Sequence, residues 1–114
     1  MSQNNIVRLV IAGLIFLVGF DSYAASPISD EERVQIKSRG EVSAIAEWCG
    51  LDWRKKSFLP FMKMLRQSEK PDNVITFASV YHGIYMERKA SDLKEIGVRC
   101  VKSDVDGILP HLLD

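Results

Sequence analysis

The sequence has few of the groups from which active sites and metal sites are built. Among its 114 residues there are two cysteines and two histidines, His82 and His111. It contains no His-x-x-x-His pair, no Gly-x-Ser-x-Gly nucleophile motif and no glycine-rich phosphate loop. We therefore expect no cofactor and no bound metal. An enzyme, a small hydrolase built on His82, is the weakest interpretation of this sequence.

The chain also lacks a net charge. Lys and Arg together number 15, and Asp and Glu together number 15. Binding of nucleic acid normally requires an excess of basic residues on one face of a domain. The densest basic run, Arg54–Lys56, is flanked by Asp52 and by apolar residues. We interpret this run as a solvated helix face and expect no nucleic-acid partner.

One apolar run is present at the amino terminus, and it is too short to favour a membrane span. Leu9–Phe20 contains 12 residues, whereas a spanning helix needs roughly 20. A positively charged start, an apolar run of this length and small residues at Ser22 and Ala24 are typical of a secretory signal. The sequence predicts that residues 1–24 are a signal peptide, cleaved before Ala25, with an uncleaved membrane anchor as the alternative.

Export determines how the two cysteines are interpreted. An oxidising compartment favours a disulfide between Cys49 and Cys100. The C-x-x-C spacing of redox pairs and the extra ligands of zinc sites are both missing. Closing a loop of about 50 residues would stabilise the domain by roughly 4 kcal/mol from chain entropy. Since no cysteine stands at the cleavage point to accept a lipid, we expect residues 25–114 to be a single soluble domain, periplasmic or secreted, with no stable membrane insertion.

Patterning of the predicted mature chain indicates an all-α fold, because no segment alternates with period two over enough residues for a sheet. Ser29 and Glu32 have the spacing of a capping box, which predicts a helix over Asp30–Trp48 that ends at Gly50. We expect a small four-helix, antiparallel bundle-like domain closed by the disulfide.

The second helical region contains Pro60, which is tolerated in a first helical turn but not in a helix interior. We therefore predict a separate turn over Asp52–Lys56, followed by a helix over Phe58–Glu69 that is capped by Ser57. A single helix kinked at the proline is the alternative.

The remaining helices are predicted from apolar spacing and from their caps. Asp72 is expected to cap a third helix, and Ser91 a fourth that carries Cys100. Asp106–Gly107 is expected to bend or break the fourth helix before residues 108–113. The third helix should bury a stripe at helical spacing, formed by Val74, Phe77, Ala78, Tyr81, Ile84 and Tyr85.

Aromatic residues are dense on either side of the Cys49–Gly50 turn. Of the 114 residues, 24 belong to the predicted signal and 90 remain, and so small a domain can rarely bury two tryptophans completely. Trp48, Trp53 and Phe58 are therefore our candidate interface, with core packing as the alternative. We expect the protein to bind another extracytoplasmic protein, as an accessory factor, chaperone, pilotin, inhibitor or immunity protein. Its size and two-cysteine plan resemble those periplasmic groups in architecture alone.

A small-molecule or lipid carrier is the alternative function. In that interpretation the flexible side chains of Met62, Met64 and Met86 line a cavity between helices. An enclosed apolar cavity would favour the carrier, and an exposed patch around Trp53 would favour protein docking. A cleft that places His82 beside a carboxylate or hydroxyl would favour an enzyme.

Overall fold

The structure is a computed structural model that describes residues 27–113, so the predicted signal peptide and its cleavage site at Ala24–Ala25 lie outside the described residues. All regular structure within this range is helical, as predicted. The elements are α1 (Asp30–Trp48), α2 (a π-helical turn at Arg54–Phe58 that runs directly into the α-helix Leu59–Gln67), α3 (Asp72–Ile96) and α4 (Lys102–Ile108), which leads into a 3-10 turn at Leu109–His111. None of the described helices is long and apolar enough to cross a membrane.

Helix α1 begins and ends where the sequence predicts. The backbone N–H of Ser29 donates to the Glu32 carboxylate across 3.0 Å, and the Glu32 N–H donates to the Ser29 hydroxyl across 3.1 Å. This capping box satisfies two of the amides that have no partner at a helix start. At the other end Gly50 has a φ of 74°, a left-handed conformation that glycine adopts without steric cost.

Helix α2 is continuous, so the prediction of a separate turn capped by Ser57 is wrong and the single-helix alternative is correct. A proline in a regular helix clashes with the carbonyl four residues earlier, which for Pro60 is that of Lys56. The chain passes this point with a π turn, in which the Leu59 N–H donates to the Arg54 carbonyl, five residues earlier. Ser57 consequently lies inside a helix, where it is buried.

The third and fourth predicted helices are one helix of 25 residues, α3. Ser91 does not cap a helix because no glycine or proline interrupts the chain between Gly83 and Gly97, and the φ of 72° at Gly97 ends α3. Cys100 therefore lies in the connection between α3 and α4 and not in a helix. The prediction that Asp72 caps this helix is also wrong, since the capping position is occupied by Pro71 and Asp72 is the first helical residue.

Helix α4 includes the residues that were expected to bend or break a helix. Asp106–Gly107 lies within α4, and the helix narrows into the 3-10 turn only afterwards, with Pro110 in the first turn of that element. A glycine costs about 1 kcal/mol in a helix interior relative to alanine, which is too little to end this helix.

Helices α1 and α3 run side by side in the same direction, and α2 runs in the opposite direction to both. The Arg33 guanidinium lies over the Phe77 ring near the start of both helices, and Gly40 lies against Tyr85 further along. The core is centred on five buried side chains, which are Ile36, Phe61, Met62, Leu65 and Ala78.

The disulfide joins the end of α1 to the connection before α4, as predicted. The Cα atoms of Cys49 and Cys100 are 5.2 Å apart, and the bridge spans 51 residues of sequence. It therefore holds the short helix α4 against the end of the α1–α3 pair.

The buried line of α3 differs from the predicted stripe. It consists of residues at every fourth position, which are Val74, Ala78, His82 and Met86. Tyr81, which the stripe included, is exposed, and a histidine takes the place of an apolar core residue. The small residues of α1 explain this arrangement, because Gly40 lets the backbones of α1 and α3 approach closely and Ser43 supplies a hydroxyl that binds the imidazole.

Gly40 is expected to be the least replaceable glycine of the core. A Cβ atom added there would lie 2.8 Å from the His82 carbonyl oxygen and 2.8 Å from the Tyr85 Cβ, so α1 and α3 would have to separate. Overpacking of this kind costs roughly 1 to 3 kcal/mol, and we predict that Gly40→Ala lowers the free energy of unfolding by about that amount in urea denaturation.

Gly83→Ala is the matched control for this substitution. A Cβ atom at Gly83 would meet nothing within 4 Å, so alanine should stabilise α3 by up to about 1 kcal/mol through helix propensity alone. Equal effects of the two substitutions would contradict a close approach of the helices at Gly40.

Candidate functional site

A buried polar network joins the three long helices at the centre of the domain. The Ser43 Oγ of α1 lies 2.6 Å from the Ser57 Oγ of α2 and 2.7 Å from the His82 Nε2 of α3, and both pairs are hydrogen-bonded. A serine hydroxyl has one proton, so Ser43 accepts from an Nε2–H where it donates to Ser57, and donates to Nε2 where Ser57 donates to it; the tautomer of the ring decides between the two. All three side chains are buried, and His82 is only 2% exposed.

Two aromatic rings of α2 cover the imidazole. The Phe58 ring centroid is 4.6 Å from that of His82, and the Trp53 ring stacks at 6.0 Å with the ring planes 19° apart. The π turn of α2 separates these two residues, and both rings reach the same histidine. Sequence analysis predicted Trp53 and Phe58 as interface residues, and the structure places both of them against His82.

Arg39 connects this network to the carboxyl-terminal segment. Its Nη1 atom donates to the carbonyl oxygen of His111 across 2.7 Å and lies 3.4 Å from the Ser57 Oγ. The neighbouring Leu113 N–H donates to the Lys56 carbonyl across 2.6 Å. Pro60, four residues after Lys56, has no N–H to donate to that carbonyl. The Leu113 N–H of the carboxyl-terminal segment donates to it instead.

The surroundings of His82 oppose a positive charge on its ring. Burial, and then the positive charge of Arg39, lower the pKa of His82 to about 4 from 6.5. Burial also lowers the pKa of the Arg39 guanidinium. Among the described residues no carboxylate is hydrogen-bonded to His82, so the imidazole is neutral at physiological pH.

The network contains a serine bonded to a histidine, the pair that a hydrolase would use, but no substrate can reach it in this conformation. Ser43 and Ser57 are both 0% exposed, whereas a nucleophile must lie at a surface or in a cleft. The hydroxyl expected beside His82 is present, and the expected cleft is not there. The arrangement serves to position three helices.

An open groove begins beside this network and extends toward the disulfide end of the α1–α3 pair. It has a volume of about 650 Å³ and runs between α1, the end of α3 and α4. Its lining combines an apolar floor with polar residues at the edges; the apolar residues are Val42, Ile45, Trp48, Leu93, Val98 and Ile108, and the polar ones include Glu41, Lys89, Asp104 and His111.

Trp48 is central to this end of the molecule. Together with Val98 it lines the groove and also two neighbouring depressions, one of which is lined by the cysteines of the disulfide. Its side chain is half-buried, while Val98 and Val101 beside it are 53% and 57% exposed. Of the three predicted interface residues, Trp48 is the one that lines a groove.

The structure does not bring the three methionines of the carrier hypothesis together at this groove. Met62 and Met86 are buried in the core, Met64 is exposed on α2, and none of them lines the groove. Within residues 27–113 no group of three His, Cys, Asp or Glu side chains is placed to hold a metal ion.

Comparisons with known proteins give no relative for this chain. No family, no curated protein and no solved structure matches it. Its function has to be inferred from the groove and the network themselves.

The lowered pKa of His82 makes the fold less stable in acid. Between about pH 6.5 and pH 4 the unfolded chain binds a proton on this residue and the folded chain does not, so stability falls as the pH drops through this window and is fully present above it. We predict a loss of about 3 kcal/mol by pH 4, since each pKa unit corresponds to roughly 1.4 kcal/mol.

Urea denaturation at several pH values, with His82→Gln for comparison, measures this effect. Glutamine keeps a nitrogen or oxygen near the position of Nε2 but has no proton to gain. Between pH 6.5 and 5, above the main range of carboxylate titration, the natural chain should lose stability faster than the variant. Parallel curves for the two proteins would show that His82 is not the group responsible.

Proposed function

We propose that the protein is an exported helical bundle that binds another extracytoplasmic protein through the groove around Trp48. The observation that carries this proposal is the half-buried Trp48 beside the exposed Val98 in the lining of an open groove. Tryptophan is the residue type most enriched among the side chains that dominate binding energy at protein interfaces. The predicted signal peptide supports an extracytoplasmic setting, and the disulfide is compatible with it.

The shape of the groove favours a short amphipathic helix as the bound segment. The lining residues of α1 are spaced at three to four positions, from Ser38 through Val42 and Ile45 to Trp48, which corresponds to about 15 Å of helix. Apolar side chains of a partner at the same spacing would lie along this floor. The mixed edge, with Glu41 and Lys89 on it, would pair with polar residues that flank the apolar stripe of the partner.

The disulfide holds the two sides of the groove together. Cys49 directly follows Trp48, and Cys100 lies two residues after Val98. The bridge therefore fixes the position of Trp48 relative to that of Val98 across the groove. A wall fixed before binding lowers the entropy that association costs. This arrangement suits a binding module that works in an oxidising compartment.

A carrier for a small apolar molecule is the second candidate function. The groove volume of about 650 Å³ lies within the range of roughly 300 to 1,000 Å³ found for ligand pockets. The groove is open along its length, however, whereas a carrier normally encloses most of the surface of its ligand. Protein binding is therefore the function that this geometry supports best.

Filling the groove from its own wall tests the proposal. Gly107 of α4 lines the groove, and a Cβ atom added there would meet nothing within 4 Å, so Gly107→Phe adds a large side chain at the groove from a position with space for its Cβ. We predict that this variant binds the partner at least about tenfold more weakly, a loss of roughly 1.4 kcal/mol or more. The partner is first captured from the extracytoplasmic fraction of the source organism, and its affinity is then measured by calorimetry.

Gly83→Phe is the matched control, because Gly83 is also a helical glycine with open space around it but does not line the groove. It should bind as the natural chain does, and Trp48→Ala should weaken binding as Gly107→Phe does. Recovery of a bound small molecule by mass spectrometry, with no stoichiometric protein partner, would support the carrier instead. Equal capture by all variants would contradict a role for the groove.

A further inference from the structure

The carboxyl-terminal segment is held in place by few contacts, and one of them leads directly to the buried histidine. In the segment Leu109–Leu113, the His111 carbonyl accepts from Arg39, the Leu113 N–H donates to Lys56, and the Leu113 side chain packs against the core. The segment also forms part of the groove, since His111 lines it. A change at Arg39 would therefore reach the groove.

Two side chains that can both carry a positive charge are connected through two hydroxyls. The Arg39 Nη1 atom lies 3.4 Å from Ser57, Ser57 lies 2.6 Å from Ser43, and Ser43 lies 2.7 Å from the ring of His82. Once protonated, the ring of His82 carries a hydrogen on both nitrogens, so Ser43 accepts from the Nε2–H whichever tautomer the neutral ring holds. What protonation adds is a positive charge close to Arg39, in an interior that screens charge poorly.

The other groups around the imidazole do not offset this charge. From the α2 side it meets the rings of Trp53 and Phe58, which are uncharged, and the Arg54 guanidinium lies over the Trp53 ring, at 5.9 Å from its centroid. On α3 itself Tyr85 lies one turn away. The carboxyl-terminal segment contacts Arg39 through the His111 carbonyl, the His111 side chain is exposed, and among the described residues no carboxylate is bonded to Arg39.

Arg39 is the member of this cluster that can respond. It is only partly buried, whereas His82, Ser43 and Ser57 are enclosed. We propose that protonation of His82 drives the Arg39 side chain outward, breaks its bond to the His111 carbonyl and releases the segment Leu109–Leu113, which removes one wall of the groove in acid. The effect on binding, a weaker complex at low pH, rests on the proposed function, whereas the release itself does not.

Amide hydrogen exchange followed by NMR tests the release without any partner. The experiment uses the exported, disulfide-bonded chain and compares protection factors of Leu112 and Leu113 with those of α1 and α3 amides between pH 7 and pH 3.5. We expect protection at Leu113 to fall about tenfold or more and to stay well below that of the α1 and α3 amides at each pH, as in a local opening. Constant protection at Leu113, or protection at Leu113 equal to that of the helices at every pH, would overturn the proposal.

Three variants separate the groups involved. His82→Gln should abolish the pH dependence at Leu113, and His111→Gln, which removes the other imidazole but keeps the backbone carbonyl, should leave it unchanged. Arg39→Met should show low protection at every pH, which keeps the test decisive even where His82→Gln fails to fold. A pH dependence lost in His111→Gln and kept in His82→Gln would assign the effect to His111 and overturn the proposal.

The release and the proposed function can fail separately. If the groove variant Gly107→Phe binds the partner normally while Leu113 still opens in acid, the proposed function fails and the release stands.

Discussion

The close approach of α1 and α3 at Gly40 is the constraint on which the rest of this structure depends. The missing side chain lets the backbone of α1 lie against the His82 carbonyl, closer than any Cβ atom would allow. At that distance the Ser43 hydroxyl reaches the imidazole, and Ser57 of α2 completes the network. A buried polar group lowers the stability of a small core unless it is hydrogen-bonded. The network therefore favours the one packing of the three helices in which its hydrogen bonds form.

The same packing gives the aromatic residues around His82 and the aromatic residue at the disulfide different surroundings. Around His82 the large rings of Trp53 and Phe58 are used internally, to shield a polar network from water. At the disulfide, where α2 does not reach, Trp48 has only the end of α3 and the short helix α4 beside it, and a groove remains open. Helix α4 has seven residues and is too short to cover the end of the α1–α3 pair. Val98 and Val101 beside it remain exposed for the same reason.

Much of the fold was predictable because its signals are local. The capping box of Ser29 and Glu32 and the left-handed Gly50 define α1, and the pairing of Cys49 with Cys100 could be predicted from the number of cysteines and from the predicted signal peptide. The errors arose where a tertiary contact outweighs a local preference. Pro60 was interpreted as a helix start, but the helix continues through it with a π turn, and the carbonyl it leaves free is bonded by Leu113.

The candidate site was harder to predict than the helices. An apolar pattern cannot show that His82 belongs to the core line of α3, because the evidence for it lies on α1, in Gly40 and Ser43, about 40 residues earlier. The groove combines α1, the end of α3 and α4, which only the folded chain brings together. Trp48 could be proposed from its residue type and position. That Trp53 and Phe58 pack on His82 while Trp48 lines the groove is a result of tertiary packing, which the sequence does not show.

The most direct measurement of the central claim is an NMR titration of the two indole N–H groups with the captured partner, since Trp48 and Trp53 are the only tryptophans of the chain. A Trp53→Phe variant assigns the two signals. If the groove is the binding surface, the Trp48 indole signal shifts or broadens as partner is added while the Trp53 signal, from the ring that stacks on His82, stays in place. A shift confined to Trp53, with Trp48 unchanged, would contradict the account.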